Sequence, residues 1–302
     1  MQQTNSPNRP HRTYVLMTAA WNEEQYIERP LQAIAAQTLP PRQWVVVSDG
    51  STDRTDEIVL RYAQKHPFIK LYRMPASHQR SFAAQVDAIN AGYEQQKHLD
   101  FDFVGNLDAD LSFEPDYFER LIAEFHADSR LGMAGGTIWD LDPKDGTFAP
   151  RRLNRQHSVM HGVQLFRREC FDDLGGYQRL PYGSPDWHAE VFLRMRGWHV
   201  RSLPHLKAFH YRPTGSAGKG VLWYSYRQGL ADRSLGTHPL FELAKVARRA
   251  PSKYLGLNAL AELAGFVQAY LRGEKPVASE EFVKYLRREQ MDRLLLRRQP
   301  GE

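Results

Sequence analysis

VGNLDADLSFEP, residues 104–115, runs from an apolar strand pattern into two carboxylates separated by one alanine. The stretch FDFVGNL (101–107) is short and apolar, which predicts a buried strand. Asp108 and Asp110 at its tip repel each other unless positive charge lies between them. Two readings are open from these residues alone. One is a divalent cation, since all-oxygen ligands suit Mg²⁺ or Mn²⁺, and Mg²⁺ held by one or two carboxylates shares its other positions with substrate phosphates. The other is a cluster of N-capping acids ahead of the helix predicted over EPDYFERLIAEFHAD (114–128), which has proline in its first turn.

Upstream, strand and helix patterns alternate. RTYVLMTAA (12–20), QWVVVSDGS (43–51) and FIKLYRM (68–74) read as strands. NEEQYIERPLQAIAAQ (22–37), TDRTDEIVLRYAQKH (52–66) and QRSFAAQVDAINAGYEQ (79–95) carry apolar residues at helical spacing, with Asn22 and Asp53 as expected N-caps. This order predicts an α/β fold whose Rossmann-like, mostly parallel central sheet is flanked by helices. Right-handed crossovers bring the carboxyl ends of such strands to one edge, where ligands bind. Glu23, Asp49, Asp108 and Asp110 all fall just past strand ends and are expected on that rim. A carboxylate such as Asp49 there suits a base N–H or a ribose hydroxyl. No GxGxxG or GxxxxGK[ST] loop is present to cradle phosphate, so a metal and basic residues would have to hold it.

Further on, LGMAGGTIWDL (131–141) reads as a strand, residues 142–157 as a polar loop, and SPDWHAEVFLRMRGW (184–198) as a helix capped by Ser184 with Pro185 at its start. PTGSAGKG (213–220), with Lys219, reads as a mobile loop able to act as a lid, and the remainder as helical. The division expected is a flexible leader over 1–11, one domain over 12–212 (halves 12–110 and 111–212), and a loop plus helical extension over 213–302.

The chain has 302 residues, 42% hydrophobic and 12% aromatic, which suits a globular protein with a sizeable core. Its one cysteine, Cys170, excludes an internal disulfide, predicts a reducing, cytoplasmic compartment, and is read as a small buried residue rather than a nucleophile. No apolar run is long enough for a membrane span and no signal-peptide pattern opens the sequence. The net charge of +5 concentrates in the last third, in KVARRAPSK and YLRREQMDRLLLRR. These basic helices are read as a solvated face or as a peripheral contact with an anionic membrane surface. Nucleic acid is not expected, because the predicted rim is acidic and the cations are not interleaved with aromatics on a sheet face.

The ordered set TAAWNEEQYIERPLQAIAAQT, WVVVSDGSTDRTDEIV, AINAG, NLDADLSFEPDYFERL, FRRECFDDLGGY and PDWHAEVFLRMRGW, over residues 12 to 212, resembles glycosyltransferase family 2. The resemblance implies a GT-A fold and inverting, metal-dependent transfer from a nucleoside-diphosphate sugar to a saccharide or lipid-linked acceptor. It implies nucleoside contacts from Ala19, Glu23 and Asp49, a nucleotide contact from Arg80, Asp108 near ribose and metal, and Asp110 on the metal (Mn²⁺ or Mg²⁺). It makes Asp186 the general base, where the family's Glu-Asp pair is here Pro185-Asp186; Glu190, one turn on, is the alternative. Phe192 stands where the family often has arginine, with Arg194 nearby.

His210 is weighed as a metal ligand against a histidine that merely stacks near Tyr211. His157 and His161 are read as loop residues, Trp187 as a sugar-stacking wall, and Trp198 as core. Two rival functions fit the same residues. A sugar-nucleotide-binding protein with a degraded site is motivated by Pro185. A nucleotidyltransferase also uses paired aspartates, but needs a basic glycine-rich loop where this chain has the acidic TAAWNEE.

Overall fold

β1 (Tyr14–Ala20) is buried along nearly its whole length because strands pair on both its edges and helices cover both faces. The computed structural model describes residues 12–75, 81–151, 156–212, 220–249 and 256–295. The other strands are β2 (Gln43–Ser48), β3 (Ile69–Arg73), β4 (Phe103–Asn106), β5 (Leu111–Phe113), β6 (Leu131–Leu141), β7 (Phe148–Pro150), β8 (Leu165–Arg167) and β9 (His199–His210). They form one sheet in the order β3-β2-β1-β4-β8-β6-β9-β5, with β7 hairpinned onto β6. The first four are parallel, as the strand–helix alternation predicts. β8 runs antiparallel to both β4 and β6, and β5 antiparallel to β9, so the second half of the sheet is mixed. The sheet therefore continues across position 110 without a break.

The helices of the first part are α1 (Glu28–Ala35), α2 (Thr55–Lys65), α3 (Phe82–Glu94), α4 (Tyr117–Ala127), α5 (Arg168–Leu174) and α6 (Pro185–Met195). Their apolar faces close over Tyr14, Leu16, Trp44, Val46, Phe103 and Phe166 in one core, which includes the buried Cys170. Trp44 is tolerated there because its indole N–H donates to Thr18 Oγ1 at 2.9 Å.

Two expected caps are corrected. Asn22 does not start α1. It adopts a left-handed backbone (φ 53), and its side chain accepts from Thr52 N at 2.8 Å. Glu24 N donates to Asp53 Oδ2 at 3.0 Å, so the loops after β1 and β2 brace each other, and the helix begins six residues later. Asn is suited to this because its short amide satisfies local backbone groups in a conformation most residues avoid. Ser184 is also left-handed (φ 68) and makes no side-chain cap; Pro185 at the first helical position sets the start of α6. By contrast Ser81 caps α3 through Ala84 N at 3.0 Å; Asp53 accepts from Thr55 N at 3.0 Å but stands one residue before Arg54, which holds the N-cap position of α2.

Beyond position 220 lie α7 (Val221–Ser234), α8 (Pro239–Arg249), α9 (Leu257–Leu271) and α10 (Glu280–Leu294). α7 and α9 touch backbone to backbone. A Cβ on Gly229 would lie 1.8 Å from Glu262 O, and one on Gly265 2.0 Å from Tyr226 O, so both positions exclude any side chain. α10 docks on α6 through Phe282 and Leu286 against Leu180, Val191 and Leu235. Arg194, fully buried, bridges the two helices: its Nε meets Glu289 at 2.8 Å and its Nη1 meets Glu190 at 3.5 Å.

Inside the α7–α8–α9 unit, Lys245 is surrounded by three buried carboxylates, Asp232, Glu242 (2.6 Å) and Glu262 (2.9 Å), with Gln228 also bonded to Asp232. One ammonium cannot balance three carboxylates. Burial, then repulsion from Asp232, pushes Glu242 up to about 7, against the pull of Lys245. The folded protein thus keeps a proton on Glu242 that the unfolded chain releases at ordinary carboxylate pH. Stability falls as pH rises from that range through about 7, then levels. Glu242→Gln is expected to remove that fall, so that melting temperatures from about pH 5 to about pH 8 change less than in the parent. An unchanged slope in circular-dichroism melts would assign the pH dependence elsewhere.

Candidate active site

Strand register sets the rim. Ala20 pairs with Ser48, and Asp49 N donates to Ala20 O at 3.0 Å, so Asp49 sits directly beside the end of β1. Ala19 lies one residue inside, opposite Val47. Glu23 follows in the loop, its N–H held by Thr55 Oγ1 at 2.7 Å. β4 ends opposite Met17, and Leu107 N donates to Met17 O at 2.9 Å, which delivers Asp108 to the same edge.

β5 then does what the sequence pattern did not announce. Leu111 pairs with His210, and Tyr211 N donates to Asp110 O at 3.1 Å, so the chain after β9 is laid against the second aspartate. Arg212 results as the central cation. Its Nε donates to Asp110 Oδ2 at 2.8 Å, its Nη2 bonds Glu23 Oε2, and its guanidinium lies 4.8 Å from the Tyr26 ring centre. Glu23 and Asp110, 87 positions apart, thereby share one positive charge. Burial alone would raise Asp110, but His210 and Arg212 hold its carboxyl below the usual range.

His210 sits between two acids, with Nε2 3.6 Å from Asp110 Oδ2 and Nδ1 2.8 Å from Asp140 Oδ1. Asp140 is gripped by Arg151 at 2.5 and 2.9 Å. Burial would lower the imidazole, but its hydrogen bonds to the Asp110 and Asp140 carboxylates raise it to about 9. With no cation at the site, the two acids favour the protonated ring. Ligating a metal through Nε2 would require that proton to leave.

On the other flank, His161 lies against Asp108, a neighbourhood that its loop context concealed. Asn106 Nδ2 donates to His161 O at 2.9 Å, and the ring nitrogen lies 3.6 Å from Asp108 Oδ1. Gly162 permits this approach, since a Cβ there would fall 2.3 Å from Asp108 Oδ2. Burial would lower His161, but the hydrogen bond and charge of Asp108, then the charge of Asp186, raise it. Burial, then Asp186, Asp108 and Glu190, hold the Tyr177 phenol high. Asp186 lies in the first turn of α6, where the helix dipole favours negative charge, and is near enough to His161 and Tyr177 for its charge to act on both.

Glu190 is buried instead, accepting from Ser158 Oγ at 3.0 Å and Val159 N at 2.8 Å and facing Arg194. Its bonds fix a loop and leave it no route to solvent. Trp187 packs with the α6–α10 cluster rather than forming a wall, and Trp198 packs against the main core. The exposed aromatics Phe82, Trp223 and Tyr224 gather round Arg227 at 3.9, 5.9 and 5.0 Å; its buried Nε has no hydrogen-bond partner, and the charge of Asp186 acts on it. Arg80, Lys219 and the 213–219 segment lie outside the described residues.

The residues offer a hard cation a carboxylate-rich donor set, and Asp110 Oδ1 is buried without a hydrogen-bond partner. That orphaned oxygen, with Asp108 across the turn, fits a divalent ion.

Residues 16–175, more than half of the chain, match the family described as glycosyl transferase family 2. The chondroitin synthase of Pasteurella multocida (strain Pm70) is 27% identical over 201 residues, 64% of this chain and 19% of that protein. The chain thus spans about a fifth of that relative's length. S. aureus TarS 1-349, solved in complex with UDP-GlcNAc, superposes with a TM-score of 0.61 at 15% identity over 94% of this chain and 92% of that one. Mannosyltransferase PcManGT from Pyrobaculum calidifontis, solved with GDP-Man and Mn²⁺, gives 0.55 at 19% identity over 97% and 83%. At these identities the two structures establish the shared fold.

Proposed function

The chain belongs to glycosyl transferase family 2, and from that premise we propose that it moves a sugar from a nucleoside-diphosphate donor to a hydroxyl acceptor, with inversion at the anomeric carbon. The observation that carries this reading is the position of Asp186. It is half-buried at a helix start, its charge acts on His161, which lies beside Asp108, and it is separate from the acids that Arg212 neutralises.

The roles follow from chemistry. Glu23 and Asp49, beside the small Ala19, supply acceptors for the nucleoside. Asp186 takes the proton of the acceptor hydroxyl as its oxygen bonds to the anomeric carbon; the bond from that carbon to the diphosphate breaks, and the diphosphate leaves with the electron pair. Base and leaving group lie on opposite faces of the sugar, which gives inversion. Asp110 and Asp108 would hold a divalent cation, Mn²⁺ or Mg²⁺, which when bound supplies positive charge to the diphosphate. His210 joins them only in its neutral form. His161 fixes Asp108, and Arg212 fixes Asp110 and Glu23, so these acids keep their geometry with no donor present.

The acceptor is a saccharide or lipid-linked saccharide of polysaccharide or glycoconjugate synthesis. Phe82, Trp223 and Tyr224 offer ring faces to its sugar C–H surfaces beside Asp186. Among the described residues no helix is long and apolar enough to cross a membrane. The enzyme is read as acting on the cytoplasmic side.

The test is a thermal-shift panel of UDP, GDP, CDP and dTDP with and without Mn²⁺, followed by turnover of the matching sugar nucleotides. One nucleotide should raise the melting temperature only with metal, and its sugar donor should release diphosphate. Binding without release, with saccharide or water as acceptor, would mark a degraded sugar-nucleotide-binding protein. Pyrophosphate formation from a nucleoside triphosphate would mark a nucleotidyltransferase.

A further inference from the structure

α9 carries its polarity reversed. LNALAELAGFVQAYL contains one charged residue, Glu262, and that carboxylate is buried on Lys245. Leu257, Leu260, Val267, Tyr270 and Leu271 face outward instead, with Leu260 61% and Leu271 79% exposed. With exposed Ala264 between Leu260 and Val267, they draw one stripe at helical spacing along a helix about 22 Å long. On α8, Leu240 and Leu243 are exposed in the same way, while Glu242 is withdrawn to Lys245. Single exposed leucines are ordinary; a continuous helix face of them is an interaction site.

Charge identifies the occupant. Between positions 239 and 275 the chain has three acids: Glu242, Glu262 and Glu274. The first two are buried on Lys245, and the third accepts from Tyr182 Oη at 2.9 Å. Arg248, Arg272 and Lys275 remain exposed. Two of the three acids are thus withdrawn, and the third also meets Arg272 at 3.9 Å, so the face toward solvent is apolar with an excess of cations. Exposed Tyr270 adds the ring type that favours a membrane–water boundary. A second copy would bring the same cations against this face and be repelled; a phospholipid surface with anionic headgroups is complementary in both respects.

We propose that the α8–α9 face seats the protein on an anionic lipid surface, with the leucine stripe at the acyl boundary and Arg248, Arg272 and Lys275 at the headgroups. This goes beyond the transfer reaction and does not depend on it. The full chain is tested by co-sedimentation with vesicles of phosphatidylcholine alone and of phosphatidylcholine mixed with phosphatidylglycerol. Binding is expected to the anionic vesicles only, weakened at high salt. The pair Leu260→Ser and Leu271→Ser is expected to lower partitioning at least about tenfold, because both side chains are already solvated and only the bound state loses their burial. Its melting curve and nucleotide-induced thermal shift should match the parent's. Absent or lipid-indifferent binding, or undiminished binding by the variant, overturns the proposal. So does light scattering that finds a parent dimer, broken by the same variant, with no vesicle association.

Discussion

Asp186→Asn is expected to cut turnover by about a hundred- to ten-thousandfold with donor affinity unchanged. The substitution keeps shape and removes only the capacity to accept a proton. Asp186 receives no side-chain hydrogen bond from the described residues, so no internal network collapses with it. Its negative charge acts on His161, Tyr177 and Arg227, three groups on three different segments. Losing that charge should return His161 toward its ordinary pKa while the melting temperature stays near the parent's. Single-turnover rates and nucleotide-induced thermal shifts separate the two effects: chemistry slows, binding does not. Should Asp186→Asn keep full turnover while Glu190→Gln loses it, the base would be Glu190. Glu190 is buried, with Oε1 taken by Ser158 and Val159 and Oε2 facing Arg194 at 3.5 Å, which argues for the first outcome.

The contrast between these two acids shows what the sequence could and could not express. Both stand on α6, one turn apart, and residue type and spacing do not distinguish them. What distinguishes them is Arg194 and the 158–159 backbone, and Arg194 is itself fixed by Glu289, 95 positions away. The rim, on the other hand, was readable. Apolar runs ending in acids place Glu23, Asp49 and Asp108 at strand tips, and parallel pairing converts strand tips into one edge. Arg212 was not readable, because its contacts depend on β5, three residues long and too short for any periodicity, pairing with the far end of β9. His161 was hidden for a related reason. Its partner Asp108 is reached only because Gly162 lets the two segments close together. In the C-terminal helices the pattern told that the segment is helical, but not which face of α9 is turned outward. Backbone contact at Gly229 and Gly265 claims the opposite face, and Glu262 follows it inward.

Asp110→Asn is expected to lower turnover at least about a thousandfold, the scale set by losing several kcal/mol of charge stabilisation on a departing diphosphate. The same change should cost about 1.5–3 kcal/mol of stability, the range for a hydrogen bond to a charged group, because Arg212 keeps Glu23 and His210 keeps Asp140. The variant therefore stays folded, and its loss of activity is chemical. Two sources of positive charge compete to explain that loss: a divalent ion on Asp110 and Asp108, and the Arg212 guanidinium. They give different results with chelator. If the ion carries the charge, chelator reduces the parent to the level of the variant, and Mn²⁺ raises the melting temperature of the nucleotide complex only when Asp110 is present. If Arg212 carries it, chelator leaves the parent unaffected, and Arg212→Met reproduces the defect of Asp110→Asn. The buried, unpartnered Oδ1 of Asp110 favours the ion, since Arg212 already satisfies Oδ2 and leaves the other oxygen pointing at nothing that could hold it.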